Sequence, residues 1–255
     1  MSGLDSLGGG DDAADRERSD SAGQAWTGRE LPSTGFDQDT GAADAGLTAA
    51  LGADDVTFMA ALAAARLLVP IVAAAQEIEQ SPDGLSVEKS SQMAVVTLTA
   101  DDGERALPVF TGMAALANWN PQARPRPVPA AQAAQAAVSE GCDVLVLELG
   151  SQQVRVVRPS MVWALAMQRT WQPAYTDPFV LQAVTRAARE EGDVVTAACE
   201  DGNSGGLRVV LSLRPGLGSD GVQELCARVG ERIATDGEAR ARIDALSFRI
   251  VTAGP

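Results

Sequence analysis

The run Val194-Val195-Thr196-Ala197-Ala198-Cys199, the turn Asp201-Gly202-Asn203-Ser204-Gly205-Gly206 and the run Leu207-Arg208-Val209-Val210-Leu211-Ser212-Leu213 decide the fold class. Two apolar runs around a Gly-, Asn- and Asp-rich turn have the composition of paired strands. Leu207, Val209, Leu211 and Leu213 alternate, so one face of the second strand meets a core. Helices flank the pair. Upstream, Asp177-Pro178 reads as an N-cap followed by proline at the first helical position, and the pattern predicts a helix to about Arg189. Downstream, Val222, Leu225, Cys226, Val229 and Ile233 share one helical stripe. A last strand places Leu246, Phe248 and Ile250 on one face.

The same mixture recurs further upstream. Asp54 and Asp55 start a helix carrying Val56, Met59, Ala60 and Ala63, and Leu67–Val72 has strand composition. Phe58–Ala75 approaches membrane-spanning length, but Arg66 and Pro70 interrupt it, so a buried helix followed by a buried strand is expected. Met93–Leu98 and Arg105–Phe110 read as a hairpin through Asp101-Asp102-Gly103, with Pro108 at an edge or bulge. Gly112–Ala117 reads as a short helix, Asn118–Pro129 as an irregular proline-rich loop, and Ala130–Ser139 as a helix stopped by Gly141. A hairpin around Gly150-Ser151 and a helix from Ser160 to Met167 follow. Trp171 and Pro173 mark a break. The expected fold is therefore α+β: two small mixed domains of hairpins and packed helices, at 42–172 and 173–255, behind a disordered N-terminal tail. That tail, residues 1–41, holds nine acidic and three basic residues with no apolar periodicity. It lacks the features of a secretory signal.

Several chemistries are excluded by composition. The 255 residues contain no histidine, which removes Ser-His-Asp and Cys-His systems and every His-containing metal site. Lys89 is the only lysine, and there is no phosphate-loop lysine motif. Cys142, Cys199 and Cys226 are too few for a four-thiolate zinc site, and they read as buried thiols in a reducing cytoplasm. A net charge of −14 speaks against a nucleic-acid partner. No metal or cofactor is expected, and no membrane association.

Three tempting motifs fail on context. Leu31-Pro32-Ser33-Thr34-Gly35 matches a cell-wall sorting signal, but that signal works near a C-terminus, ahead of an apolar span. Asp37, Asp39 and Gly41 suggest a calcium loop, yet Ala42 and Thr48 hold its required Gly and Glu places. Gly216-Leu217-Gly218-Ser219-Asp220-Gly221 is a literal dinucleotide fingerprint, but Arg214-Pro215 lengthens the turn and no acidic residue ends the next strand. A Pro-Gly turn with Ser219 or Asp220 capping the helix is the expected structure there. The neighbouring acids Asp101-Asp102, Glu190-Glu191 and Glu200-Asp201 read as solvated charge.

Several segments together resemble the SseB (enhanced serine sensitivity) family as found in actinobacteria. They are Gly28–Asp44, Leu107-Pro108-Val109-Phe110-Thr111-Gly112, Ala117-Asn118-Trp119-Asn120-Pro121 through Pro129, Asp143–Leu149 and Arg158–Leu165. These are packing and turn motifs, so the resemblance implies a family and no catalytic residues. The family is named for a serine-sensitivity phenotype, which implies a link to serine or amino-acid metabolism.

The candidate binding residues are Trp119, Arg124 and Arg126, in a proline-stiffened segment that presents an aromatic ring and two guanidinium groups to a carboxylate or phosphate. The expected function is a non-catalytic cytoplasmic binding or regulatory protein, acting on a protein partner or a small metabolite. The alternative is a small-molecule enzyme using carboxylate and arginine chemistry.

Overall fold

The computed structural model describes residues 36, 38–74, 92–101, 103–203 and 205–253. The tail expectation and Leu31–Gly35 lie outside the described residues, save for residues 36 and 38–41. The fold described below lies within one compact unit that begins at Thr40. Its described residues form an α+β structure of eight helices and three small sheets.

Helices α1 (Ala45–Ala50) and α2 (Asp55–Ala64) both begin on aspartates. Asp44 accepts the Leu47 N–H, and Asp54 accepts those of Val56 and Thr57. Those bonds, first among them the one from Thr57, hold the Asp54 carboxyl below its ordinary range. Strand β1 (Arg66–Ala74) is central to a sheet of order β2-β1-β5, between β2 (Gln92–Val95) and β5 (Arg124–Pro129). A second sheet has the order β3-β4-β6-β7, with β3 (Leu98–Thr99), β4 (Arg105–Val109), β6 (Val144–Leu147) and β7 (Arg155–Val157). Strands β4 and β6 are parallel, and the crossover between them runs through α3 (Met113–Trp119), β5 and α4 (Ala130–Ser139). The two sheets join where Leu68 and Phe110 exchange both backbone hydrogen bonds.

Four alanines of α4, at 130, 133, 134 and 137, are fully buried. Their short side chains let the helix lie close against α2, β1 and α5 (Pro159–Ala166). Phe58, Leu62, Leu107, Leu145 and Met161 fill the same core, and it ends at Trp171. Full burial of each large side chain contributes roughly 1.5–3 kcal/mol before chain entropy is counted.

A second core begins at Ala174. It lies between helices α6 (Pro178–Arg189) and α7 (Ser219–Thr235) and a sheet of order β10-β9-β8, made of β8 (Val194–Asp201), β9 (Leu207–Leu213) and β10 (Leu246–Thr252). The expected stripe appears: Leu225, Val229 and Ile233 are buried, and Val222 and Cys226 are half-buried against the same core. Strand β10 runs parallel to β9 after a crossover through α7 and the short α8 (Gly237–Ala241).

Four local expectations are corrected. The run Met93–Leu98 is not one hairpin arm: β2 pairs with β1, and only Leu98 and Thr99 pair with β4. Strand β4 is interior, yet β3 stops opposite Ala106, so Pro108 faces no β3 residue. Half of the proline-rich loop is the strand β5. The N-cap of α7 is Gly218, without a side-chain cap; the Ser219 hydroxyl bonds Asp220 instead.

Candidate functional site

Strand β5 reads Arg-Pro-Arg-Pro-Val-Pro, a sequence no interior strand could hold, because each proline lacks the N–H a ladder needs. The register explains how it pairs. Leu68 stands opposite Pro127 but gives its N–H and C=O to Phe110, on the far side of β1. Pro70 stands opposite Pro125, and its carbonyl accepts the Val96 N–H, again away from β5. The Ala130 N–H donates to Ala65, which sets the phase at the other end. Pro125, Pro127 and Pro129 therefore occupy the positions whose N–H would point out of the sheet. Arg124, Arg126 and Val128 face β1 with their backbones.

Side chains alternate in the same way. Val128 turns into the first core, and Arg126 and Arg124 follow it on the same face, beside Val69 and Ile71 of β1. Both arginines are exposed, and neither guanidinium has a hydrogen-bond or ion-pair partner among the described residues. Two residues along a strand put their Cα atoms about 6.8 Å apart.

Trp119 lies elsewhere. It is half-buried, with its ring centroid 5.3 Å from that of Phe110, in a small cluster with Leu68 and Leu116. Leu68 is on the β1 face opposite Val69, so the indole and the two arginines lie on opposite faces of the β1–β5 pair. A turn links them: the Ala123 N–H donates to the Asn120 carbonyl, and the Gln122 N–H to Asn120 Oδ1. Glu148 anchors the start of this segment. Its backbone is left-handed (φ 57°), and its buried carboxylate accepts the Thr111 N–H at 2.7 Å, just before α3. Sequence reading missed Glu148, since nothing local marks an acid that will be buried.

A second polar cluster joins the two cores. Asp244 accepts the Ser160 N–H and Oγ–H, each at 2.8 Å, and the Arg158 Nε–H at 2.9 Å. Helix α5 has Arg158 at its N-cap, whose side chain cannot accept a hydrogen bond, so Asp244 supplies the cap from the segment before β10. Arg158 also pairs with Asp55, which pairs with Arg155. Burial works against the Arg158 charge, and the bonds to Asp244 and Asp55 outweigh it, so its proton is held above the ordinary range. The Trp171 Nε1–H donates to Ser160 Oγ. Beside this cluster Arg242 pairs with Asp177 and Glu238, its guanidinium 4.8 Å from the Trp163 ring and 4.4 Å from the Phe179 ring.

Glu191 corrects the reading of the paired acids as solvated charge. It is buried and accepts hydrogen bonds from Arg228 and Arg232, which tie α6 to α7. The Arg228 bonds hold its carboxyl down at about 2 against burial, with help from Arg232. The cysteines are free: Cys142 is buried, and Cys199 and Cys226 are half-buried. Burial raises all three thiols, Cys199 to about 11. Among the described residues no group of three or more His, Cys, Asp or Glu is placed to hold a metal ion, and no helix is long and apolar enough to cross a membrane.

Comparison with known proteins finds one family. Residues 44–164 match the SseB protein N-terminal domain, a span from the α1 cap to α5 that includes β5. No curated protein and no solved structure matches the chain.

Proposed function

The chain belongs to the SseB family through residues 44–164, and on that premise we propose that it is a non-catalytic cytoplasmic binding or regulatory protein that takes an anionic partner, a protein or a small metabolite, through Arg124 and Arg126. In this reading residues 42–172 and 173–255 act as two domains, and the ligand chemistry belongs to the first. A role in serine or amino-acid metabolism is part of the proposal.

One observation supports it above the others. The two guanidinium groups share a face of a strand whose backbone is stiffened by prolines, and among the described residues neither is committed to a carboxylate. Rigid spacing lowers the ordering cost of binding, and arginine offers forked donors suited to carboxylates and phosphates. Trp119 serves as a positioning residue, because its packing on Phe110 holds the turn that leads into β5.

The test is Arg124→Ala with Arg126→Ala in the full chain. Thermal-shift and titration panels of amino acids, nucleotides and inorganic phosphate would identify a ligand, and a pull-down from native lysate a protein partner. Loss of one charge-assisted contact costs about 1.5–3 kcal/mol, roughly tenfold to a hundredfold, so the double variant should weaken binding by at least that much with the melting temperature nearly unchanged. An unchanged isotherm would reject this strand as the site. A large loss of stability would assign the arginines to structure.

A further inference from the structure

Strand β10 is the reverse of β5. It ends the sheet order β10-β9-β8, and among the described residues no other strand pairs with it. Its phase is fixed at both ends: the Ala245 carbonyl accepts the Leu207 N–H, and the Ala253 N–H donates to the Leu213 carbonyl. Residues 245, 247, 249, 251 and 253 therefore turn their backbones to β9. Leu246, Phe248, Ile250 and Thr252 turn their N–H and C=O groups to the open edge. The strand is seven residues long, contains no proline and ends in three β-branched residues. Ile250 and Val251 are 37% and 38% exposed. A long, donor-bearing edge of this kind is a template for another strand.

We propose that β10 is a self-association edge, which pairs antiparallel with β10 of a second copy about a two-fold axis and joins the two sheets into one of six strands. The occupant follows from symmetry and charge. An antiparallel pair about a two-fold axis matches each outward N–H with an outward C=O from the same set of residues, so the edge is its own complement. The only charged side chain on β10 is Arg249, and it pairs across the open sheet face with Glu200 of β8 at 2.6 Å. A register centred on Arg249 would still place like charges opposite each other, which is unfavourable. Centred on Ile250, the register sets Arg249 beside Val251 of the second copy and pairs Phe248 with Thr252. The helix layers then lie on one side of the joined sheet. The exposed face with Thr196, Arg208, Ser212 and Ser247 becomes continuous on the other.

Sedimentation of the full chain over a range of concentrations tests the proposal. The expected species at high concentration has twice the 26.3 kDa chain mass. Association should tighten as salt rises, because each copy carries a net charge of −14. Ile250→Pro and Thr252→Pro each delete an outward N–H while sparing the ladder to β9, and each should weaken association at least tenfold. Thr252, exposed at the strand end, keeps the test valid should Ile250→Pro fail to fold. In the wild-type chain, hydrogen exchange at Phe248, Ile250 and Thr252 should slow as concentration rises. A monomer at millimolar concentration in high salt would overturn the proposal. So would a dimer unmoved by either proline in a folded variant, or one without protection at those amides.

Discussion

Strands β5 and β10 are both sheet edges, and they treat the edge in opposite ways. Strand β5 carries proline at each outward position, so its free side has no donors and cannot extend the sheet. Strand β10 carries an N–H at each outward position and two half-exposed apolar side chains. The difference teaches that proline in a strand must be read by phase as well as by count. A strand tolerates it wherever the missing N–H would face away from its neighbour. On β5 this leaves the arginine side chains as the polar groups it presents to solvent, and on β10 it leaves the outward N–H and C=O groups.

The sharpest way to break this comparison is to put proline in the wrong phase. Val251 turns its N–H to β9, whereas Thr252 turns its N–H outward. Val251→Pro should cost about 3 kcal/mol or more of unfolding free energy, and Thr252→Pro well under half of that. Urea denaturation of the two variants decides it, and equal costs would show that the phase assigned to β10 is wrong.

A comparably large effect is expected where β10 is hung from the rest of the molecule. Asp244 lies two residues before the strand and accepts three hydrogen bonds from Arg158 and Ser160. Asp244→Ala leaves α5 uncapped and Arg158 short of a carboxylate, at a cost of about 3 kcal/mol. Asp244→Asn, which keeps the acceptor toward Ser160, should recover part of that loss. No difference between the two variants would mean that capping contributes little.

A smaller effect concerns the helix layer behind β9 and β10. The Glu191 carboxyl is depressed from its ordinary 4.5 to about 2 in the folded chain. A depressed acid contributes stability that is present above the unfolded pKa and is lost as pH falls through the folded one. Melting temperature should therefore drop between about pH 4.5 and pH 2, and the part of this drop due to Glu191 should vanish in Glu191→Gln. At neutral pH that variant should cost roughly 1–2 kcal/mol, since Arg228 is half exposed and screened by solvent. An unaltered acid profile in Glu191→Gln would show that the pair is not coupled to folding.

Much of the fold was legible because helices and amphipathic strands write their own periodicity. Asp177-Pro178 opens α6, the alternation Leu207–Leu213 is β9, and Ala130–Ser139 is α4. Part of the candidate site was legible too, since arginines among prolines stand out. What could not be read was that the segment is a strand, because proline counts against β structure until its register is known. The short helices α1 and α8 went unread, as did Glu148, Asp244 and the burial of Glu191. For the three acids the deciding partner lies far along the chain, whereas α1 and α8 are capped locally by Asp44 and Asp236 and are too short to write a clear period.

By itself, then, the sequence determined the class and the order of the longer elements, and it excluded the chemistries that need histidine or a phosphate-loop lysine. It did so because composition and short-range pattern carry that information. Only the tertiary structure decided which strand stands beside which, which N–H groups face outward, and which acids are buried against arginine. Register and ion pairing depend on residues that sequence separates by tens of positions, such as Arg158 and Asp244 or Leu68 and Pro127. No local pattern records a distance that only the closing of the chain creates.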